Sequence, residues 1–336
     1  MAAPDRPRFV VTSRLPGDGL KLLAEAGEVV AFDREAPLPR SELLAAIAGA
    51  TVVLTMLTDR VDEEFFAAAG PGLRAVANVA VGHDNIDLDA AARHGVAVTN
   101  TPGVLDDATA DLALALILGA SRRIAEADRL VRRGEPWEWG MSFMLGRDLR
   151  GKTLGIVGLG GIGRCVAARA RGFGMEIAYS SRNPAPAEVT AALAAERVPL
   201  DALLETADVL TLHCPLTPET HHLIGAAELA RMKPTALLVN TARGAVVDEA
   251  ALVEALRAGT IAAAGLDVFE QEPNVHPGLL GLDNVTLVPH LGSATIETRS
   301  AMAELAARNA LAAARGEPLP TPVRLPGPSD GPADAP

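Results

Sequence analysis

Gly158-Leu159-Gly160-Gly161-Ile162-Gly163 spaces its glycines as G-x-G-x-x-G. A β-rich run over residues 153–157 precedes it and a helical pattern over residues 162–171 follows. That is the context in which this spacing marks a dinucleotide phosphate site. Gly158 permits the tight turn, Gly160 lets the backbone approach a pyrophosphate, and Gly163 allows the helix to pack closely on the strand. The amides at the helix N-terminus then face the anion. A glycine-rich turn without a ligand is the alternative. The next strand ends in Tyr179-Ser180-Ser181-Arg182-Asn183-Pro184. A site for NAD usually carries an acidic residue there, to hold the ribose 2′-hydroxyl. This chain has none. Arg182 offers a guanidinium fork for a 2′-phosphate, and Ser181 and Asn183 offer hydrogen bonds. NADPH is therefore expected to be preferred, with NADH possible. A solvent-facing Arg182 in a site open to both nucleotides is the alternative.

Three further polar residues follow three successive strand-like runs: Arg243 in NTARGAVVDE, Glu272 in GLDVFEQEP and His290 in TLVPHLGSAT. Carboxyl ends of strands in an open α/β sheet border the ligand crevice. Residues far apart in sequence can thus converge beside a nicotinamide. Their chemistry is complementary. Reducing a ketone needs a hydride on carbon and a proton on oxygen. A histidine with an intrinsic pKa of ~6.5 can donate that proton near neutrality. A glutamate against the imidazole favours its charged form and fixes its orientation. An arginine can bind the carboxylate of a 2-oxo acid and polarise its carbonyl. Taken singly, each has an ordinary structural reading as a surface Arg, a loop Glu or a capping His.

The elements that must position these residues follow from the rest of the chain. Its 336 residues suggest two domains. Hydrophobic residues make up 49%, enough for a large core, and only 3% are aromatic, so that core is built from Ala, Leu and Val. Acidic residues number 42 against 30 basic ones, a net charge of −12, which disfavours a nucleic-acid or anionic-membrane binder. The longest apolar stretch, near residues 112–120, is about half of a membrane span. Cys165 and Cys214 make neither a CxxC pair nor a zinc spacing, and no metal site is expected. Nothing at the start of the sequence reads as a secretory signal, so a cytoplasmic protein is expected.

Strand-like runs over residues 9–12, 29–32, 51–57, 75–81 and 96–99 alternate with helical segments, which implies a parallel sheet. A helix over residues 108–120 is apolar nearly all round and reads as buried, against the second domain or another subunit. A second series has strands over residues 153–157, 176–179, 209–213, 236–240, 262–267 and 284–288, a doubly wound domain of about six strands. An Ala-rich helix spans residues 295–315. Seven prolines among residues 317–336 read as a tail disordered beyond its first few residues.

With these residues in place, the chain resembles the D-2-hydroxyacid dehydrogenase family, and within it the glyoxylate/hydroxypyruvate reductases. The resemblance runs from about residue 8 to 315. It includes VTSRLP, VANVAVGHDNID, VTNTPGVLDDATADLALALIL, GKTLGIVGLGGIG, HCPLTPET, NTARGAVVDEAAL, GLDVFEQEP and PHLGSAT. It implies a Rossmann-type doubly wound cofactor domain over residues 101–288. It also implies a discontinuous, flavodoxin-like substrate domain, residues 1–100 and 289–316. The family's Arg–Glu–His set falls on Arg243, Glu272 and His290. Its carboxylate-binding loop falls on Val81 and Gly82, and Leu57 takes a substrate-side position that an ordinary loop residue would fill equally. The cofactor positions fall on Thr109, Gly160, Gly161, Ile162, Ser181, Arg182, His213, Cys214, Pro215, Thr220, Thr241, Ala242, Asp267 and Gly292. Asp267 is either a carboxamide contact or a structural aspartate at a strand end.

The resemblance further implies a homodimer built in part by residues 108–120. Trp137 and Trp139 either reach toward the neighbouring active site or belong to the dimer core. Two positions depart from the family: Gly161 stands where an arginine is frequent, and His83 where an aromatic residue is frequent. The chain ends soon after the last helix, which leaves no room for the regulatory domain of long phosphoglycerate dehydrogenases. Formate dehydrogenases share the fold but pair the histidine with glutamine, so Glu272 points to a keto acid. A broad-specificity 2-keto acid reductase and a phosphoglycerate dehydrogenase-like enzyme remain open. A nucleotide-sensing corepressor is the reading from a different class.

Overall fold

Two wholly parallel sheets organise the protein, one in each of two units. A computed structural model describes residues 6–134 and 136–326. The first unit runs to Leu105 and resumes at Ala294; the second is Asp106–Ser293.

The first unit alternates β1 (Arg8–Val11), α1 (Gly19–Ala26), β2 (Glu28–Ala31), α2 (Arg40–Ile47), β3 (Val52–Thr55), α3 (Glu63–Ala69), β4 (Ala75–Asn78), α4 (Leu88–Arg93) and β5 (Ala97–Thr99). The strand order is β2-β1-β3-β4-β5, which is the flavodoxin-like order. Val10, Val53, Val76 and Val98 point to one face of this sheet, Phe9, Val11, Leu54 and Ala77 to the other.

The second unit begins with α5 (Asp106–Ser121) and α6 (Ile124–Arg132). It continues through β6 (Thr153–Val157), α7 (Gly161–Gly172), β7 (Glu176–Ser180), α8 (Ala187–Leu193), β8 (Ala195–Arg197), α9 (Leu200–Thr206) and β9 (Val209–Leu212). Then come α10 (Ala226–Arg231), β10 (Leu237–Asn240), α11 (Glu249–Ala258), β11 (Ala263–Leu266), α12 (Pro277–Leu280) and β12 (Val285–Leu287). The order β12-β11-β10-β9-β6-β7-β8 is the Rossmann order with one strand added beyond β11. The sheet thus has seven strands, where the sequence suggests about six. The missing one is β8, whose Ala-Glu-Arg carries no β-branched or apolar run to announce it. The apolar helix α5 is buried by α7 and by β10, β11 and β12 of its own unit.

The Ala-rich α13 (Ile296–Arg315) covers the Phe9 face of the first sheet with Ala303, Ala306, Ala307 and Ala310. Its small side chains let α1 come close: a Cβ on Gly19 would lie 3.0 Å from the Ala303 carbonyl oxygen. The tail reading of residues 317–336 needs correction over its described part. Val323 N–H donates to Val98 O at 2.8 Å, and the Thr321 hydroxyl donates to Asn100 O at 2.6 Å. Asn309, fully buried on α13, exchanges two hydrogen bonds with Thr321. Proline content misled here because these contacts use Thr321 and Val323, which lie between prolines. Residues 327–336 lie outside the described residues.

Candidate active site

In the second unit the glycine loop leaves β6 and enters α7. Gly158 sits at φ +95°, and a Cβ there would lie 2.8 Å from His213 O and 2.9 Å from Cys214 N. A Cβ on Gly163 would lie 2.2 Å from Gly158 O, so the helix can approach the strand only with glycine here. Gly160, by contrast, has nothing within 4 Å of the corresponding point. The N–H groups of Gly160, Gly161 and Ile162 donate to no acceptor among the described residues. Open space beside three unpartnered donors at a helix N-terminus fits a pyrophosphate. Gly161 has its own reason to be glycine: a Cβ would lie 2.1 Å from Oδ2 of Asp106, at the start of α5.

The loop after β7 holds Ser181, Arg182 and Asn183. Arg182 and Asn183 are exposed. The Ser181 hydroxyl donates to Asn183 O at 2.6 Å, so it turns back on its own loop. Arg197, which the sequence did not single out, donates through Nη2 to the carbonyls of both Ser181 and Arg182. Glu219 is held below the ordinary glutamate range by the Thr217 hydroxyl first, and the charge of Arg182 adds to the effect.

After β9 come His213, Cys214 and Pro215. The His213 ring lies between Thr211 (Nε2 to Oγ1, 2.9 Å) and Thr241 (Nδ1 to Oγ1, 3.4 Å). Protein packs densely around it although part of the residue reaches the surface, and this desolvation lowers its pKa to about 3. The ring is therefore neutral at physiological pH. Burial likewise pushes the Cys214 thiol up to about 11, so it stays protonated. The Thr220 hydroxyl donates to Pro215 O at 2.6 Å and closes this segment.

The turn after β10 carries Thr241, Ala242 and Arg243. Its conformation is set by Asn240, which is 1% exposed. The Asn240 amide donates to Arg243 O at 2.8 Å and accepts from Ala242 N at 3.0 Å. Arg243 Nη1 donates to Ala242 O at 2.8 Å. The neighbouring Gly244 runs against the Glu272 loop, where a Cβ would lie 1.9 Å from the Phe269 carbonyl carbon.

Glu272 accepts from Phe269 N through Oε1 at 3.0 Å and meets His290 Nδ1 through Oε2 at 2.7 Å. Burial works to raise its pKa. The hydrogen bond and charge of His290, the Phe269 amide and the charge of Arg243 outweigh burial, and the group ends below the ordinary glutamate range. An ionised Glu272 requires a proton on His290 Nδ1. Nε2 then remains to hold or release the second proton, and it makes no hydrogen bond among the described residues. His290 is 34% exposed at its side chain, so the ring is open to a ligand.

His290 sits at φ +54°, a conformation that costs energy for a residue with a side chain. Asp267 compensates. Its carbonyl accepts from His290 N at 2.8 Å, and its carboxylate accepts from Leu291 N at 2.5 Å and Gly292 N at 2.9 Å. Burial raises the Asp267 pKa, against the pull of these amides and of His290. Each carboxylate oxygen of Asp267 accepts one backbone amide and keeps a second lone pair. Thr109 borders the same corner, since a Cβ on Gly292 would lie 3.2 Å from Asp267 Oδ2 and 3.3 Å from Thr109 Oγ1.

Leu57, Val81 and Gly82 belong to the first unit. Leu57 is half-buried in the turn after β3. Asn100 donates to Val81 O at 2.8 Å, and Asn78 donates to Gly82 O at 2.9 Å. With both carbonyls fixed, the N–H groups of Val81 and Gly82 are left without an acceptor among the described residues. Two adjacent free amides form a concavity suited to an anion. Sequence reasoning missed Asn78, Asn100, Asn240 and Arg197. Each acts on a backbone carbonyl, a use that no local motif announces.

Among the described residues, no group of three or more His, Cys, Asp or Glu side chains is arranged to hold a metal ion, and no helix is long and apolar enough to cross a membrane.

Comparison with known proteins adds an independent line. Residues 114–292 match the profile described as D-isomer specific 2-hydroxyacid dehydrogenase, NAD binding domain. A glyoxylate reductase of Thermococcus onnurineus is 51% identical over 321 residues, covering 94% of this chain and 95% of its own. The crystal structure of a glyoxylate reductase from Paecilomyes thermophila is 38% identical, with a TM-score of 0.86 over 96% of this chain and 99% of its own. An NADPH-dependent glyoxylate/hydroxypyruvate reductase from Sinorhizobium meliloti, solved with NADP and malonate, is 37% identical. Its TM-score is 0.82, over 95% of this chain and 97% of its own.

Proposed function

The chain belongs to the D-isomer specific 2-hydroxyacid dehydrogenases, NAD(P)-dependent enzymes, and from that premise we propose that it reduces a small 2-oxo acid with NADPH preferred over NADH. The acids we propose are glyoxylate, giving glycolate, and hydroxypyruvate, giving D-glycerate. The observation that carries the reading is the 2.7 Å pair between His290 Nδ1 and Glu272 Oε2, which leaves Nε2 for proton delivery. The names of relatives across nearly the whole chain support the substrate class.

When bound, the nicotinamide cofactor supplies the hydride that reaches the carbonyl carbon. The amides of Gly160, Gly161 and Ile162, with Gly158 and Gly163 shaping the loop, hold the pyrophosphate. Arg182, beside Ser181 and Asn183, binds the 2′-phosphate. Thr109, His213, Cys214, Pro215, Thr220, Thr241, Ala242, Asp267 and Gly292 line the remainder of the cofactor site. The neutral His213 and protonated Cys214 add no charge there.

Within the first unit, Val81 and Gly82 offer their free amides to an acid's carboxylate, with Leu57 as the substrate-side residue. Arg243 binds the carboxylate and polarises the carbonyl oxygen. His290 Nε2 donates the proton to that oxygen as negative charge develops, and the ionised Glu272 stabilises the imidazolium from which the proton leaves. Glutamate rather than glutamine at this place is what a reaction with proton transfer requires.

The reading includes a cytoplasmic homodimer. Val131 on α6, with Trp137, Trp139, Met141 and Leu145 beyond it, is more than half exposed, an apolar surface in want of a partner. A cavity of about 640 Å³ beside it is lined by Arg123, Leu130, Trp139, Phe143 and Met144. This surface lies on α6 and the segment after it.

Initial rates of nicotinamide oxidation test the function. NADPH and NADH are each run against glyoxylate, hydroxypyruvate, pyruvate and phosphohydroxypyruvate. Fast turnover of NADPH with glyoxylate or hydroxypyruvate is expected. Tight NADPH binding without turnover of any acid would contradict the reading and favour a nucleotide sensor.

A further inference from the structure

The Nη2 of Arg197, the last residue of the edge strand β8, lies 3.0 Å from the carbonyl oxygen of Ser181 and 3.2 Å from that of Arg182. One guanidinium nitrogen therefore gathers two consecutive carbonyls of the loop after β7. A trans peptide is planar, with its C=O and N–H pointing in opposite directions. Turning the Ser181 and Arg182 carbonyls toward β8 thus turns the N–H groups of Arg182 and Asn183 away from it. Neither N–H has an acceptor among the described residues. The Ser181 hydroxyl donates to the Asn183 carbonyl, which fixes the third peptide of the turn. The loop consequently presents two backbone donors on the side away from β8, beside the Arg182 side chain, and it does so because of Arg197.

We propose that Arg197 is a positioning residue for cofactor discrimination: it orients the amides of Arg182 and Asn183 as a cradle for the 2′-phosphate of NADPH. The proposal rests on the reading that Arg182 faces that phosphate, and it extends the specificity element from one side chain to a braced loop. Several oriented donors around a phosphate are worth more than a single flexible arginine, because each bond forms without reordering the loop. Arg197 is exposed, so replacing it leaves the sheet intact.

Calorimetric titration of Arg197→Met and Arg182→Met with NADPH and NADH separates the possibilities. NADH affinity serves as the internal measure of folding and of the rest of the cofactor site. The expected result for Arg197→Met is a roughly tenfold weaker NADPH affinity with NADH within about twofold of wild type, a tenfold loss being about 1.4 kcal/mol. If Arg197→Met keeps the wild-type NADPH/NADH ratio while Arg182→Met loses it, the positioning role is overturned and the 2′-phosphate reading stands. If both variants keep the ratio, the 2′-phosphate reading falls, and this proposal falls with it.

Discussion

Nδ1 of His290 and Oε2 of Glu272 meet at 2.7 Å although eighteen residues separate them in the chain. The contact depends on a backbone that His290 does not adopt easily. Its φ of +54° is held by Asp267, which grips the amides of His290, Leu291 and Gly292 with its carbonyl and both carboxylate oxygens. The cost of the strained conformation, on the order of 1–3 kcal/mol, is offset by bonds from a nearly fully buried carboxylate. The ring is thereby fixed with one nitrogen on Glu272 and the other open.

Arg243 is fixed by its own turn through Asn240. Replacing Arg243 with Gln keeps a donor and removes the charge and the fork. We expect KM for the keto acid to rise by about 10–100-fold, from the loss of a charged hydrogen bond of roughly 1.5–3 kcal/mol. The NADPH dissociation constant should change little. Steady-state kinetics beside NADPH titration checks this, and equal losses in both would assign Arg243 a structural role.

In the proposed function Arg182 is the residue that reads the nucleotide's 2′-position. In Arg182→Asp a carboxylate faces the 2′-position, where it repels a phosphate and accepts from a hydroxyl. The ratio of kcat/KM for NADPH to that for NADH is expected to fall by at least about tenfold. An unchanged ratio would remove Arg182 from the site.

These assignments differ in how far the sequence alone could carry them. Glycine spacing, strand–helix alternation and the motifs around Arg243, Glu272 and His290 are local patterns, and they stood out without coordinates. The residues that aim them are not local. Asp267 and Arg197 act by holding amides or carbonyls of neighbouring loops, and in sequence they look like any polar residue at a strand end. β8 escaped notice because three residues at a sheet edge carry no periodicity. Gly161 departs from the family's frequent arginine, and the structure shows Asp106 occupying the space that a side chain would need.

His213 gives a pH signature. Its pKa is about 3 in the folded chain and ~6.5 when unfolded, so between these values the unfolded state binds more protons. Stability from this group is complete above about pH 6.5 and declines as pH falls through that window toward 3. Thermal melts of wild type and His213→Asn at pH 7 and pH 4.5 should show a smaller acid shift for the variant. Equal shifts would mean that His213 is not desolvated in the native state.

The most direct test of the account is His290→Ala, followed by two readings on the same preparation: turnover with the best keto acid and the NADPH dissociation constant. Turnover should fall by about 10²–10⁴-fold, the usual contribution of a positioned proton donor, while NADPH binds nearly as in wild type. Near wild-type turnover would contradict the claim that His290, oriented by Glu272, delivers the proton.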